Sequence, residues 1–544
     1  MLHENLILVL ILLLGITLLV MLGQKLKIAY PIFLVLAGLI IGFIPGVPSV
    51  SIDPNLIFLI FLPPLLYEAA WYTSWKDFWE YKGAIFLLAV GLVIFTSATV
   101  AYFSVLLIPG FTLSLGFVLG GIISPPDAVA ASAILKKFKI PKISMSLLEG
   151  ESLVNDATSL IVFKFALATV ITGNFVIQDA ALNFVVVALG GIVVGLIVGA
   201  IFYAIHRWLP KNDNIDVVLT FLTPYFMYIA AEEIHVSGVI SVVAGGLLLS
   251  SQSLVILTPS SRVKTFSTWG GITFILNGIV FILIGLGLPE IVSGMKNRYS
   301  ILEATCYGGL ISLLTVVIRY IWFDTTRLIA FWVNKQSRIR YQHTTWKGRL
   351  IVILGGMRGV VSLAAALSIP IMISDTVEFP LRNLILFITF IVIFFTLVVQ
   401  GLLLPIIVKR LHINETNYDL SEEEQVSKIR MQLVETAIKK LEKDYFSQCK
   451  SNVILGNYKE ELEHTLYDQK KRLDILKTGA LDVKGLNAFN SVMLDIINAQ
   501  RKTLHHLKND KQIDSELITS EEWQLDLDEM RINSFLSDIN KSKT

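Results

Sequence analysis

Four short runs place ionisable side chains inside stretches that are otherwise apolar: Glu68 in FLPPLLYEAA, Asp127 in SPPDAVAASA, Glu149, Glu151 and Asp156 in LEGESLVNDATSL, and Arg358 in GGMRGVVSLAAA. A charged side chain at the middle of a membrane costs at least about 2.5 kcal/mol on insertion scales, so each is a functional-site candidate by default. Carboxylates held away from water can hold a small cation or a proton. The patterns of other chemistries do not occur. There is no HExxH zinc motif, no nucleophile elbow and no P-loop, which argues against an intramembrane enzyme and an ATP-driven pump. A cation channel or uncoupled cation transporter is the alternative, but no filter-like segment is present.

The GESLVND segment can be resolved by helix geometry at about 100° per residue. Relative to Ser152, Asp156 falls at about +40°, Ser159 at about −20° and Glu149 at about +60°, forming one polar stripe. Asn155 and Glu151 fall at about −60° and −100°, on an adjacent strip. Such a helix shows a polar wedge to neighbouring protein and an apolar back to lipid. A plain polar seam between helices is the simpler alternative, but a seam could use Ser and Asn without three acids.

Two segments carry breaks. In SPPDAVA, Pro125 and Pro126 remove two backbone donors, and Asp127 stands where a new half-helix begins. The positive end of that half-helix favours an acid, and carbonyls freed before the break can face a cation. The glycine-rich GGMRGV is the second break, with Arg358 placed to neutralise carbonyl ends. A simple kink packed by neighbours is the alternative for either.

The elements that must position these residues are membrane spans. The chain has 544 residues, 54% hydrophobic and only 16% charged, with a mean hydropathy of +0.68, far too apolar for an ordinary soluble domain. Apolar runs of helical length lie near 4–22, 28–45, 54–72, 83–108, 113–135, 146–172, 180–208, 216–233, 236–252, 266–288, 300–333, 347–373 and 384–408. They predict an all-α polytopic membrane protein of about thirteen spans. The interrupted segments are the fifth and the twelfth, equivalent places if six spans recur as six after one linker, which is the pattern of inverted repeats with interrupted helices. The first run follows MLHEN, lacks a basic n-region and reads as a retained span. Glycines at helical spacing (Gly38 and Gly42; Gly191, Gly195 and Gly199) suit close helix packing, or a dimer face.

Loops alternate in Lys and Arg content. Basic loops carry Lys25 and Lys27, Lys76 and Lys82, Lys136, Lys137, Lys139 and Lys142, Arg207 and Lys211, Arg262 and Lys264, Lys335, Arg338, Arg340, Lys347 and Arg349, then Lys409 and Arg410; the intervening loops hold only Lys296, Arg298 and Arg382. This places the N-terminus outside and the C-terminal part in the cytoplasm. Net charge is +2, which argues for no nucleic-acid partner. Cys306, in an apolar span, and Cys449 predict neither a structural bridge nor a metal cluster.

At these residues the chain resembles the first cation/proton antiporter family, the sodium/proton exchangers of bacteria, archaea and animals. The resemblance rests on LPPLLYEA around Glu68, SPPDAVA around Asp127, GESLVND through Asp156 and GMRG at Arg358, in the family's order and spacing, and covers the membrane body, residues 1–410. It implies exchange of Na+ (or Li+ or K+) for H+ in the cell (inner) membrane, with no cofactor. It implies that Asp156 and Ser152, helped by Glu68 and the backbone carbonyl of Pro126, hold the ion. Asn155 and Asp127 would support that site, while Glu151 and Arg358 would pair to hold helices together. The family often has Thr where this chain has Pro126. The resemblance further implies that Asn155–Asp156, in place of two aspartates, accompanies electroneutral exchange, and that the protein is a homodimer whose core moves against a scaffold in membrane lipid. In the mechanism this suggests, proton and cation compete for the buried carboxylate, and the loaded forms reorient by alternating access.

Residues 411–544 hold 24 of the 43 acidic and 19 of the 45 basic side chains and predict a helical cytoplasmic tail. Ser421 and Glu424 make a capping box before a helix, and further helices are expected near 458–477, 486–508 and 520–538, separated by Gly479, Gly485 and the stretch around Asp510. Its role reads as regulation, dimer contact or plain solubility. Arg319, Asp324 and Arg327 are expected to pair locally near the cytoplasmic face. Lys164 counters a charge or snorkels to an interface, and His235 is a solvated loop residue.

Overall fold

The computed structural model describes residues 2–532 apart from 27, 46–56, 137, 139, 174–176, 211, 296–298, 334–345, 375–376, 412–421, 479–482, 508–516, 519–520 and 531. Lys27, Lys137, Lys139, Lys211, Lys296, Arg298, Lys335, Arg338, Arg340, Ser421, Gly479 and Asp510 therefore lie outside the described residues, as do the side chain of Arg327 and the end of the 520–538 helix. Two compact units are present, Met1–Ile413 and Asn414–Thr544.

The first unit is a helical bundle: α1 (Leu2–Lys25), α2 (Tyr30–Gly42), α3 (Leu62–Tyr72), α4 (Trp75–Leu107), the half-helices α5 (Leu113–Ile123) and α6 (Ala128–Leu135), α7 (Lys142–Thr172), α8 (Ile177–Trp208), α9 (Asp213–Glu233), α10 (Gly238–Ser251), α11 (Pro259–Leu286), α12 (Ile301–Val333), the half-helices α13 (Trp346–Leu354) and α14 (Val360–Leu367), and α15 (Arg382–Leu411). Among the described residues seven helices are long and apolar enough to cross a bilayer alone, and five shorter apolar helices accompany them. Both predicted interruptions occur, at Ser124–Asp127 and at Gly355–Gly359.

Local chemistry sets the ends. The fourth run, expected over 83–108, is helical from Trp75, because the Ser74 hydroxyl accepts from the Asp77 N–H and caps an amphipathic turn ahead of the apolar stretch. Helix α7 ends at Gly173, whose φ of +74° is a left-handed C-terminal cap. The twelfth run, expected to be helical to 373, stops at Leu367. Pro370 follows, and Met372–Ser374 then pairs antiparallel with Val377–Glu378.

Packing sorts the spans into two groups. Helices α1, α2, α3, α8, α9, α10 and α11 pack among themselves, and α4 to α7 pack with α12 to α15. Helix α7 is the main bridge, touching α3, α8 and α10 as well as its own group. The small-residue stripes serve this internal packing. A Cβ on Gly38 would meet the Ile282 carbonyl at 2.4 Å, and one on Gly195 would meet the Ser241 carbonyl at 2.2 Å.

The second unit contains Glu422–Asp444, Phe446–Ser451, Val453–Thr478, Val483–Leu507 and a helical stretch over 521–530. Gly485, expected between helices, lies inside the fourth of these, which starts at Val483. Ser427, Ile438 and Ile497 are buried in this unit.

Candidate functional site

The first break is built by proline and capped by an acid. With no N–H on Pro125 or Pro126, α5 stops at Ile123, and Asp127 caps α6, its Oδ1 accepting from the Val129 N–H at 2.7 Å. Helix α7 supplies what the break lacks. The Asn155 carboxamide donates to the Pro126 carbonyl at 2.7 Å, and the Ser152 hydroxyl accepts from the Ala128 N–H at 3.1 Å. Each of those two oxygens keeps a further lone pair.

The second break crosses the first. The Asp127 N–H donates to the Met357 carbonyl at 2.5 Å, a single bridge joining the two interruptions. Gly359 lets them meet: a Cβ there would stand 2.0 Å from Asp127 Oδ2. Arg358 donates from Nε to the Ile123 carbonyl at 3.0 Å and from Nη1 to the Gly356 carbonyl at 2.7 Å. Its guanidinium thus neutralises the carbonyl ends of both interrupted segments, as its position in GGMRGV predicts.

Glu151 does not pair with Arg358. Arg319 of α12 takes it in a two-pronged ion pair, Nη1 to Oε1 at 2.6 Å and Nη2 to Oε2 at 2.6 Å, and also reaches the Val352 carbonyl beside the second break. Both partners are fully buried. Arg319, expected to pair locally near the cytoplasmic face, is therefore part of the core. The only sequence signal for it was one basic residue in the apolar run LLTVVIRYIWF. Asp324, expected to pair within its own segment, meets Arg349 of α13 at 3.4 Å instead. Lys164 meets Glu232 at 3.3 Å on the exposed rim, and His235 is exposed.

With Glu151 neutralised, the stripe on α7 becomes legible. Asn155 and Glu151 are wholly buried, whereas Glu149, Ser152 and Asp156 are half-buried and share one face. Toward the Thr172 end that face closes at Ser159 and Phe163, 1% and 3% exposed. The half-buried part of the stripe therefore lies toward the Lys142 end. Glu68 of α3, Glu149 and Lys136 are near enough to act on one another electrostatically, as is the Asp127 carboxylate on Asp156. Among the described residues no basic side chain pairs with Asp156 and none of its carboxylate oxygens is hydrogen-bonded to protein. The site thus brings together Asp156, Ser152, Asn155, Asp127 and the Pro126 carbonyl.

A family described as sodium/hydrogen exchanger, transmembrane, matches residues 9–410. The sodium, potassium, lithium and rubidium/H+ antiporter of Bacillus pumilus is 33% identical over 425 residues, covering 76% of this chain; the match spans about 62% of that protein's length. An uncharacterized Na+/H+ exchanger of Escherichia coli is 30% identical over 513 residues, 92% of this chain and 93% of that one. In fold, the chain is similar to the sodium proton antiporter MjNhaP1 of Methanocaldococcus jannaschii, with a TM-score of 0.59 at 18% identity, over 74% of this chain and 99% of that one.

Proposed function

The chain belongs to the sodium/hydrogen exchanger family, a family of multi-pass membrane transporters, and from that premise we propose that it exchanges Na+, or a similar alkali cation, for H+ at Asp156. The observation that carries the proposal is the charge balance of the site. Glu151 is matched by Arg319, Arg358 is spent on carbonyl ends, and Asp127 is engaged at a helix start. Asp156 is left half-buried with neither an ion pair nor a hydrogen bond to its carboxylate among the described residues, and a carboxylate so placed takes either a proton or a metal cation.

The cation is held by the Asp156 carboxylate and the free lone pairs of Ser152 Oγ and the Pro126 carbonyl, with Glu68 drawing it in. All are oxygen donors, which suit a hard monovalent ion. Asn155 fixes the Pro126 carbonyl in place and contributes no second ionisable group, so one proton is traded for one cation and transport is electroneutral. Proton-loaded and cation-loaded sites carry equal charge, and these reorient; the empty anion does not, because it would enter the dry interface between the two helix groups uncompensated. The relative from Bacillus pumilus is named for sodium, potassium, lithium and rubidium, which supports testing all four ions. We place the Lys142 end of α7 in the cytoplasm of a cell (inner) membrane, from the basic loops at that end.

Asp156→Asn reconstituted in sealed vesicles tests the reading. Sodium-dependent proton flux should vanish while the protein still inserts, and retained flux would refute the assignment.

A further inference from the structure

The last span contributes to the second break in a way neither the motifs nor the ion-site reading uses. Helix α15 contains a π-helical turn, Phe395–Gln400, a local widening that often marks a functional position. Thr396 and Gln400, four residues apart, share one face of it, toward Gly355–Gly359. The Gln400 carboxamide donates to the Leu354 carbonyl, the last of half-helix α13, and the Thr396 hydroxyl accepts from the Arg358 N–H at 3.1 Å. Both are buried, Thr396 at 0% and Gln400 at 5% exposure.

With the Gln400 contact, the carbonyls from Ile351 to Met357 all have partners: the N–H groups of Gly355, Gly356 and Met357 at residues 351, 353 and 355, Arg319 at Val352, Gln400 at Leu354, Arg358 at Gly356 and Asp127 at Met357. The second break is therefore a socket whose carbonyls are each hydrogen-bonded within the protein. Gln400 is not explained by packing. Its Oε1 is buried without a hydrogen-bond partner among the described residues, an unfavourable state that a leucine of similar size would avoid. What the site gains from it is the donor.

We propose that Gln400 and Thr396 are positioning residues for exchange: by gripping both sides of the second break they hold Met357 and Arg358 where these meet Asp127 and Ile123, and so set the register of the first break against Asp156. The inference rests on Asp156 being the exchanging carboxylate.

Full-length protein in sealed vesicles, scored for sodium-dependent proton flux per inserted molecule, tests it. Gln400→Leu and Thr396→Val should each raise the apparent KM for sodium about threefold or more, the scale of one lost buried hydrogen bond, and displace the pH midpoint in a common direction. Thr396→Ser, which keeps the hydroxyl, should behave as wild type. A role in folding alone would lower the amount of inserted protein while leaving flux per inserted molecule, KM and pH midpoint unmoved, and that result would overturn the proposal. If Gln400→Leu fails to insert, the Thr396 pair decides. Asp156→Asn measured alongside keeps the two ideas separate. Exchange surviving there removes the ion-site reading, whereas a dead Asp156→Asn with unshifted Gln400→Leu and Thr396→Val removes only the positioning role.

Discussion

Glu151 and Asp156 lie five residues apart on one helix in opposite electrical surroundings, and each should respond to mutation accordingly. Removing one partner of a buried ion pair costs about 3–5 kcal/mol because the other charge is stranded. Glu151→Ala should therefore lower the thermal stability of detergent-solubilised protein sharply, and Glu151→Leu with Arg319→Leu should recover most of it; equal losses in the single and double variants would contradict this. Gly359 is a different kind of constraint. A methyl group at 2.0 Å from Asp127 Oδ2 must push the carboxylate or the break aside, so Gly359→Ala should cut exchange by about tenfold or more while the protein still inserts, given how steeply function falls with misplacement on the ångström scale. Helical spacing was enough to find the polar stripe of α7 and to place Asn155 and Glu151 off its accessible centre. It could not choose between Arg319 and Arg358 as the partner of Glu151, because periodicity orders residues around one helix and says nothing about which distant segment arrives opposite.

The elements were legible wherever backbone chemistry alone decides. Pro125 and Pro126 break the fifth span, glycines break the twelfth, and Gly173 ends α7 by its own conformational freedom. Where tertiary context decides, the sequence fell short. The amphipathic start of α4 looks like a loop by hydropathy, and the hairpin after Leu367 looks like a helix continuing. The π-helical turn in α15 has no local signature beyond an amide in an apolar run. Helix contacts that depend on missing side chains give a sharp test at this scale. A leucine at Gly195 would collide with the Ser241 backbone, and overpacking of this kind typically costs about 1–3 kcal/mol. Gly195→Leu should then lower the unfolding midpoint of the purified protein, whereas leucine at Gly15, with open space around it, should leave it unchanged.

For the whole molecule, every residue assigned to the site lies between Glu68 and Gln400, in the unit Met1–Ile413. A protein ending at Ile413 is expected to retain sodium-dependent proton flux when inserted, and its loss at normal insertion would assign the tail a part in exchange itself. The homodimer implied by the family resemblance is a proposal that native mass measurement in detergent decides, two chains per particle supporting it and one contradicting it. The account stands most directly on competition at one carboxylate. In vesicles, initial exchange rates taken against sodium concentration at a series of pH values should keep a constant Vmax, while the apparent KM for sodium climbs toward about tenfold per pH unit on the acid side, as mutually exclusive binding of proton and cation requires. A KM that stays flat with pH while Vmax falls would mean that proton and sodium occupy different sites, and would contradict it.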